Sequence, residues 1–210
     1  MQCEWRSFVQ RGEGMEERFE YIRCLFCVTG REQNVVRSLE STQGLVAVFP
    51  QKLKPIWRKG GWTEELFTLF PGYVFVYSHR PILFSAFGAD PNVVRALSYD
   101  KGGTEGYLVG RDRDFALSLL RSGGVIGALD AVQEGDQVRI CEGALLDRIG
   151  RVVKVDRRKR LAKVEMEIMG DLRGVWLAYR LLEDESRAAS EEKDARPEDG
   201  RTEGKKNDDI

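Results

Sequence analysis

The sequence has one histidine among its 210 residues, which leaves little material for catalysis or metal binding. His79 lies between a predicted strand and Pro81, with no nucleophile in a recognisable motif beside it. This argues against Ser/His or Cys/His catalysis and against a histidine-rich metal site. The glycines of residues 123–127 lack the spacing of a dinucleotide-binding loop. We therefore predict no catalytic residue, no metal, no cofactor and no enzymatic activity.

Cysteines are few, and long apolar runs do not occur. The four cysteines accompany a charged N-terminus without the apolar segment of a secretory signal, so we expect a cytoplasmic protein. No run of 18 apolar residues exists, which predicts no membrane association. Cys24 and Cys27 form a C-x-x-C, but residues three apart on a strand point to opposite faces. The two thiolates are therefore expected to be structural and not to share a metal.

Charge is nearly balanced overall but unevenly distributed. The formal net charge is −1, while residues 183–210 carry 11 acidic and 6 basic side chains. The first 182 residues therefore carry about +4, which is compatible with contact to nucleic acid. We predict that residues 184–210 form a disordered acidic tail, because their composition cannot build a core. Residues 1–20 are expected to be a disordered or mis-assigned extension, with Met15 as the candidate start.

The most informative segment is residues 69–77, Leu-Phe-Pro-Gly-Tyr-Val-Phe-Val-Tyr. Phe-Pro-Gly-Tyr is typical of a tight turn that leads into a strand. Alternation then places Tyr73, Phe75 and Tyr77 on one face and the two valines on the other. Three aromatic side chains on one face of a small sheet need a cover, which is either another element of the chain or a partner.

Hydrophobic periodicity predicts alternating strands and helices up to residue 121, and short strands afterwards. Strands are expected at residues 21–28, 45–50, 52–59, 62–69, 72–77 and 93–97, with helices at 31–40, 81–87 and 111–121. Helices on one face of these strands predict an α+β sandwich over residues 21–121, followed by a glycine-rich linker at 122–133. Residues 163–168 alternate strictly after a charged turn at 156–160, which is typical of a small β-barrel over residues 134–183.

Two segments carry a resemblance to a known family. Phe-Pro-Gly-Tyr-Val-Phe-Val at residues 70–76 resembles the signature of the NusG family of transcription elongation factors. Residues 134–140, 142–144 and 150–156 resemble the KOW module that follows the N-terminal domain in that family. The order and spacing agree, and together the matches cover roughly residues 21–183. The resemblance implies an α+β N-terminal domain followed by an SH3-like KOW barrel.

The resemblance also implies a docking face. In this family the first strand lies beside the strand after Phe-Pro-Gly-Tyr, and their common outer face docks on the clamp helices of the RNA polymerase β′ subunit. Carried over by position, the docking residues here are Cys24, Phe26, Phe70, Tyr73 and Phe75. The family usually opens its first strand with Trp-Tyr, whereas this chain has Ile22-Arg23. The alternative is that Cys24, Phe26, Tyr73 and Phe75 are simply core.

A first candidate nucleic-acid surface is the predicted hairpin arm at residues 52–69. Tryptophans 57 and 62 are interleaved with basic residues, and such a pattern can follow a phosphate backbone and stack on bases. Glu64 and Glu65 lie on the opposite strand, so cross-strand charge pairing is the alternative. The basic residues of the arm are Lys52, Lys54, Arg58 and Lys59.

A second candidate nucleic-acid surface is the predicted barrel turn. Its basic residues are Arg157, Arg158, Lys159 and Arg160. They predict RNA phosphate contact, or alternatively only solvated turn charges. Alternation points Trp176 away from the barrel core, where it can stack on a base or cap the barrel edge.

The resemblance implies a monomeric, specialised paralog of the LoaP-like or RfaH-like kind. Such a factor suppresses pausing and termination at selected operons and responds to RNA or non-template DNA. Met169 stands where housekeeping members carry an aromatic residue that helps to hold Rho or a small-subunit ribosomal protein, so weakened or absent Rho binding is expected. The alternatives are a housekeeping NusG that couples transcription to Rho or the ribosome, and a ribosome-associated KOW protein that binds RNA.

Overall fold

The computed structural model describes residues 19–42, 44–58, 61–82, 87–88, 90–100, 106–135, 137–141 and 150–182, without the side chains of residues 55, 57, 61 and 62. Most of the predicted helix at residues 81–87 lies outside these ranges, as do Lys59, residues 1–18 and the predicted tail at 184–210. No helix of the described ranges is long and apolar enough to span a membrane.

The described residues form twelve strands and two helices. In chain order they are β1 (Tyr21–Cys27), α1 (Glu32–Glu40), β2 (Leu45–Val48), β3 (Gln51–Arg58), β4 (Gly61–Thr68), β5 (Tyr73–Ser78), β6 (Val93–Ala96), α2 (Gly110–Arg121), β7 (Val125–Ile126), β8 (Leu129–Glu134), β9 (Gln137–Ile140), β10 (Gly150–Asp156), β11 (Leu161–Ile168) and β12 (Asp171–Leu181). The strands predicted up to residue 97 and the two longer predicted helices are confirmed, with ends that differ by no more than two residues.

The N-terminal sheet has the strand order β2-β5-β1-β6 and is antiparallel throughout. Helix α1 buries Val35 and Leu39 against the face of the sheet that carries Leu25 and Val76. Helix α2 packs on the opposite face, through a separate cluster of buried side chains. The α+β class is confirmed, but the expectation of helices on one face is wrong. Both faces of β1 and β5 are apolar, so each face requires its own helix.

The turn before β5 depends on Gly72. Its φ is +86°, a backbone conformation that favours glycine. The Gly72 N–H donates to Oε1 of Glu32, at the start of α1, over 2.7 Å. Its carbonyl accepts the Cys27 N–H over 2.7 Å. A Cβ at this position would lie 2.9 Å from the Phe26 ring. The Phe-Pro-Gly-Tyr turn therefore connects β5, β1 and α1.

We expect Gly72→Ala to destabilise the fold more than Gly30→Ala does. Gly30 has a similar φ of +82°, but nothing lies within 4 Å of its added Cβ. The control should therefore cost only the strain of a left-handed residue, about 1–2 kcal/mol. Overpacking against Phe26 adds roughly 1–3 kcal/mol at Gly72. Chemical unfolding measures both variants, and equal free energies of unfolding would show that the turn is not packed as described.

The C-terminal unit, here called the barrel, is a nearly closed five-stranded sheet in the order β10-β11-β12-β8-β9. Val164, Met166 and Ile168 of β11 are buried inside it, as their alternation predicts. The turn predicted at residues 156–160 connects β10 and β11. These features confirm the predicted small barrel in the C-terminal half.

The predicted linker at residues 122–133 is wrong in part, because much of it is strand. Val125–Ile126 forms β7, which runs parallel to β3 beside the β3–β4 hairpin. Leu129–Glu134 forms β8, which pairs with both β12 and β9 inside the barrel sheet. The glycines at 123, 124 and 127 dominated the sequence pattern. Leu129 and Ala131, however, are buried and alternate as in a half-buried strand.

The apolar core crosses from the N-terminal unit into the barrel. One cluster of buried side chains includes Phe75 and Phe115 on the N-terminal side and Val164 and Leu177 on the barrel side. We call the contact surface between the N-terminal unit (residues 19–126) and the barrel (β8–β12) the seam. The seam lies on the same side of the sheet as Cys24, Tyr73 and Phe75.

Candidate binding surfaces

The aromatic face consists of the five side chains that the resemblance assigns to docking. Strand pairing places Cys24 opposite Phe75 and Phe26 opposite Tyr73, so four of the five share two neighbouring strands. The Phe26 and Tyr73 rings meet edge to face, with centroids 5.8 Å apart. The Phe70 ring lies 6.3 Å from that of Tyr73. The fold therefore brings all five predicted residues together.

Helix α2 covers the inner part of the aromatic face. The Phe115 ring lies 5.6 Å from Phe75 and 6.2 Å from Phe70. Phe75 and Cys24 are completely buried, and Phe70 is 2% exposed. These three side chains belong to the core while the barrel packs on the N-terminal unit, an arrangement that we call the closed chain. A partner would meet Phe26 and Tyr73 first.

The two cysteines of the C-x-x-C belong to different cores. Cys24 lies in the cluster under α2, and Cys27 lies in the cluster under α1. Burial raises the pKa of the Cys24 thiol far above its ordinary value, and it raises that of Cys27 to about 11. Both thiols therefore stay protonated at neutral pH, which fits the predicted structural role. Within the described residues, no three His, Cys, Asp or Glu side chains are grouped so as to hold a metal ion.

The barrel covers the outer part of the aromatic face. Arg173 of β12 donates from Nη2 to the Tyr73 hydroxyl over 2.9 Å, with its guanidinium 5.1 Å from the ring centroid. Burial raises the pKa of Tyr73, and the Arg173 charge opposes this rise. Tyr73 is only 5% exposed in the full chain. An element of the chain itself therefore covers this ring.

A second polar contact across the seam involves the predicted partner residue of the barrel. The Met169 N–H donates to Oδ1 of Asp112 over 2.9 Å. The other oxygen, Oδ2, accepts the Tyr99 hydroxyl over 2.7 Å. Met169 has a φ of +50° at the tip of the β11–β12 turn and packs against the shared core. In this closed arrangement the barrel covers the aromatic face, and the N-terminal unit covers the Met169 turn.

Sequence reasoning missed Arg173 and Asp112. Both are charged residues without a periodic pattern, and their partners lie 100 and 57 positions away. Polar contacts between distant segments leave no signal in a single sequence. A tertiary structure was needed to find them.

In the β3–β4 hairpin, here called the arm, the described basic residues each have a different partner. Arg58 forms an ion pair with Glu65 at 2.8 Å, as the cross-strand alternative predicts. Lys54 Nζ lies 5.3 Å from the centroid of the Phe67 ring. Lys52 Nζ crosses the seam and donates to the Trp176 carbonyl over 2.9 Å. Burial, with a smaller contribution from the Lys54 charge, lowers the pKa of Lys52.

The second basic cluster lies at the β10–β11 turn, next to the arm. Lys159 lines a cleft of about 520 Å³ that also contains Lys52, Lys54 and Trp176. A neighbouring cavity of about 450 Å³ is lined by Tyr179 and by the arginines of the turn, Arg157, Arg158 and Arg160. Trp176 lies outside the barrel core, as alternation predicts. It faces the arm and is half-buried. The fold therefore joins two clusters that the sequence separates by about 100 residues.

Comparison with known proteins supports the position of the KOW module. The KOW motif family matches residues 134–167, inside the range that the sequence predicts for that module. Among curated proteins, none matches this chain. A solved structure described as "Domain interaction in Thermotoga maritima NusG" is similar at 21% identity and a TM-score of 0.48. The similarity covers 75% of this chain and 93% of that one.

Proposed function

We propose that the chain is a NusG-family transcription elongation factor that docks on the clamp helices of the RNA polymerase β′ subunit. The proposal combines the Phe-Pro-Gly-Tyr turn, the KOW motif at residues 134–167 and the aromatic face. The observation that carries it is the Phe26–Tyr73 pair. These rings pack edge to face at the ends of two paired strands, under the barrel. The proposed mechanism is binding.

Docking requires the barrel to leave the aromatic face. Arg173 and Asp112 provide polar contacts at the seam, and such contacts contribute about 1.5–3 kcal/mol each when one partner is charged. Phe26 and Tyr73 then become available as interface anchors, a role in which aromatic side chains are enriched. A factor held across the clamp opposes clamp opening, and it thereby suppresses pausing and termination.

Opening of the seam also releases the Met169 turn. Met169 is a flexible apolar side chain that suits an adaptable partner contact but offers less area than an aromatic ring. We propose that the freed turn contacts a small-subunit ribosomal protein and binds Rho weakly or not at all. The same movement thus exposes one partner surface on each unit.

The specialised role that we propose is processive antitermination at selected operons. The supporting feature is the concentration of basic and aromatic side chains around the arm and the barrel turn, because it offers a way to read a nucleic-acid signal. The KOW motif and the same basic turn also favour a second candidate, a ribosome-associated protein that binds RNA. A housekeeping NusG role differs from both candidates in requiring strong Rho-dependent termination.

Transcription with purified core polymerase tests the proposed function. We expect the full chain to co-purify with core polymerase and to raise readthrough on terminator templates, most strongly on templates that carry the leader of its own target. Ribosomes are offered in a parallel binding assay. Binding to ribosomes without binding to polymerase would favour the second candidate, and strong Rho-dependent termination would favour the housekeeping role. An absence of polymerase binding contradicts the main proposal.

A further inference from the structure

The cleft between the arm and the barrel has the composition of a ligand site. Its volume of about 520 Å³ lies within the range of about 300–1,000 Å³ that is usual for small-ligand pockets. The arm supplies Lys52, Lys54 and Phe67, and the barrel supplies Lys159 and Trp176. Three ammonium groups and two aromatic rings therefore line one cavity, with neither unit able to form it alone.

The side chains of the cleft divide into positioning and contacting groups. Lys52 is half-buried and its Nζ holds the Trp176 carbonyl at 2.9 Å, so it fixes the arm against β12. Lys54 and Lys159 are exposed cations on opposite walls. Phe67, 37% exposed, lies under the Lys54 ammonium. This arrangement offers flat rings beside two charges that remain accessible to an anion.

One acidic side chain also lines the cleft and restricts where an anion can lie. Asp156 accepts the Lys159 N–H through Oδ1 over 3.0 Å, which orders the start of the turn. A phosphate is expected to avoid this carboxylate and to bind between Lys54 and Lys159. Burial already lowers the pKa of Lys52, so a phosphate nearby would restore a favourable environment for its charge.

The basic character continues beyond the cleft. On the other side of the β10–β11 turn, a cavity of about 450 Å³ is lined by Arg157, Arg158, Arg160 and Tyr179. The turn therefore separates two cavities that are both lined by cations. A chain of linked phosphates that crosses the turn would meet positive charge on each side, as it does in the grooves of proteins that bind single strands.

From this arrangement we infer that the cleft binds single-stranded nucleic acid, with a base on Trp176 and phosphates on Lys54 and Lys159, and that it exists only while the seam is closed. A half-buried ring in a cleft can reach an unstacked base, but not one inside a duplex. A strand that touches both units stabilises the closed chain. The inference deepens the proposed function and rests on it for its biological role. The binding itself is measured without polymerase.

Fluorescence anisotropy of the full chain tests the site. The probes are a labelled single-stranded RNA of about 12 nucleotides, the same sequence as DNA, and the RNA duplex. We expect single strands to bind more tightly than the duplex. The comparison of RNA with DNA shows which of the two is the preferred ligand. Trp176→Ala should weaken binding about 5- to 150-fold. Combined Lys54→Ala and Lys159→Ala should lower the salt slope by about 1.4, since each single-strand phosphate contributes about 0.7.

A control with matched charge loss combines Lys154→Ala and Arg37→Ala. Lys154 is an exposed cation of the barrel and Arg37 is one of α1, both outside the cleft. Together the two substitutions should change affinity less than twofold. If they weaken binding as much as the cleft variants do, binding follows net charge and the site is overturned. Tighter binding of the duplex, or no binding of any single strand, overturns it as well.

The composite nature of the site has its own test. Asp112→Ala combined with Arg173→Ala breaks both polar seam contacts, changes no side chain of the cleft and leaves the net charge unchanged. Charge alone predicts unchanged RNA binding in this variant, whereas a site that needs the closed seam predicts weaker binding, by about 2- to 10-fold. Unchanged or tighter binding overturns the composite site. Because polymerase is absent, this result does not depend on whether docking occurs.

Discussion

Phe26→Ala is expected to weaken binding of the chain to core RNA polymerase by about 1–3 kcal/mol, which corresponds to roughly 5- to 150-fold in affinity. The variant removes an aromatic ring whose neighbour Tyr73 lies 5.8 Å away, between centroids, on the paired strand. Aromatic anchors of this kind contribute most of the binding energy in protein interfaces. Surface plasmon resonance with immobilised core polymerase gives the two affinities directly.

The control for this variant must account for the closed seam. Phe26 also packs against Tyr73 in the closed chain. Its removal therefore loosens the contact between Tyr73 and the barrel, and easier opening partly offsets the loss of affinity for polymerase. The comparison is therefore repeated in an Arg173→Ala background, where that contact is already broken. Val94→Ala is the matched control, because Val94 is 56% exposed on β6, outside the aromatic face. If Phe26→Ala and Val94→Ala change the affinity for polymerase equally, the aromatic face is not a docking surface, and a loss of unfolding free energy in Phe26→Ala alone would assign Phe26 to the core.

A chain with Asp112→Ala and Arg173→Ala is expected to bind polymerase more tightly than the natural chain, by about 10- to 100-fold. Each substitution removes one hydrogen bond of a charged side chain at the seam. If each contact contributes about 1.5 kcal/mol, the pair shifts the closed-to-open equilibrium by a factor of roughly 100. Apparent affinity rises with the fraction of open chain until that fraction approaches one. Binding assays give the affinity, and small-angle X-ray scattering gives the accompanying increase in radius of gyration.

Tyr73→Phe supplies a sharper variant of the same experiment. It removes the hydroxyl that accepts from Arg173 but keeps the ring that is proposed to dock. Its affinity for polymerase should therefore rise or stay the same, whereas Tyr73→Ala should lose affinity. A decrease with Tyr73→Phe would mean that the hydroxyl itself contacts polymerase. An unchanged radius in the double variant would show that other contacts hold the barrel in place.

Local patterns predicted most of the N-terminal elements and the barrel strand at residues 163–168. The alternation of residues 73–77 and the spacing of Val35 and Leu39 each report a burial face, so a single sequence contains that information. The opposite orientation of Cys24 and Cys27 followed from the same rule and agrees with their separate clusters. These predictions needed only the geometry of neighbouring residues along a strand or helix.

Relations between distant segments could not be predicted in this way. Strand β7 has only two residues, and its pairing with β3 is a long-range contact that no local pattern reports. The meeting of Lys54 with Lys159 in one cleft depends on how the barrel sits on the arm. Likewise, nothing in the sequence indicates that Arg173 would cover Tyr73. The candidate residues were thus predictable individually, whereas their grouping and their cover were not.

The position of Asp112 suits a seam contact that can break and form again. Its Oδ2 accepts the Tyr99 hydroxyl at 2.7 Å, a contact that lies wholly within the N-terminal unit. The same hydroxyl accepts the Val109 N–H at 3.3 Å, just before the first turn of α2. If the barrel leaves as proposed, we expect Oδ1 to remain positioned beside a helix N-terminus, which favours its negative charge. Reassociation then needs little new ordering of this side chain, so the Asp112–Met169 contact can form again after the proposed docking.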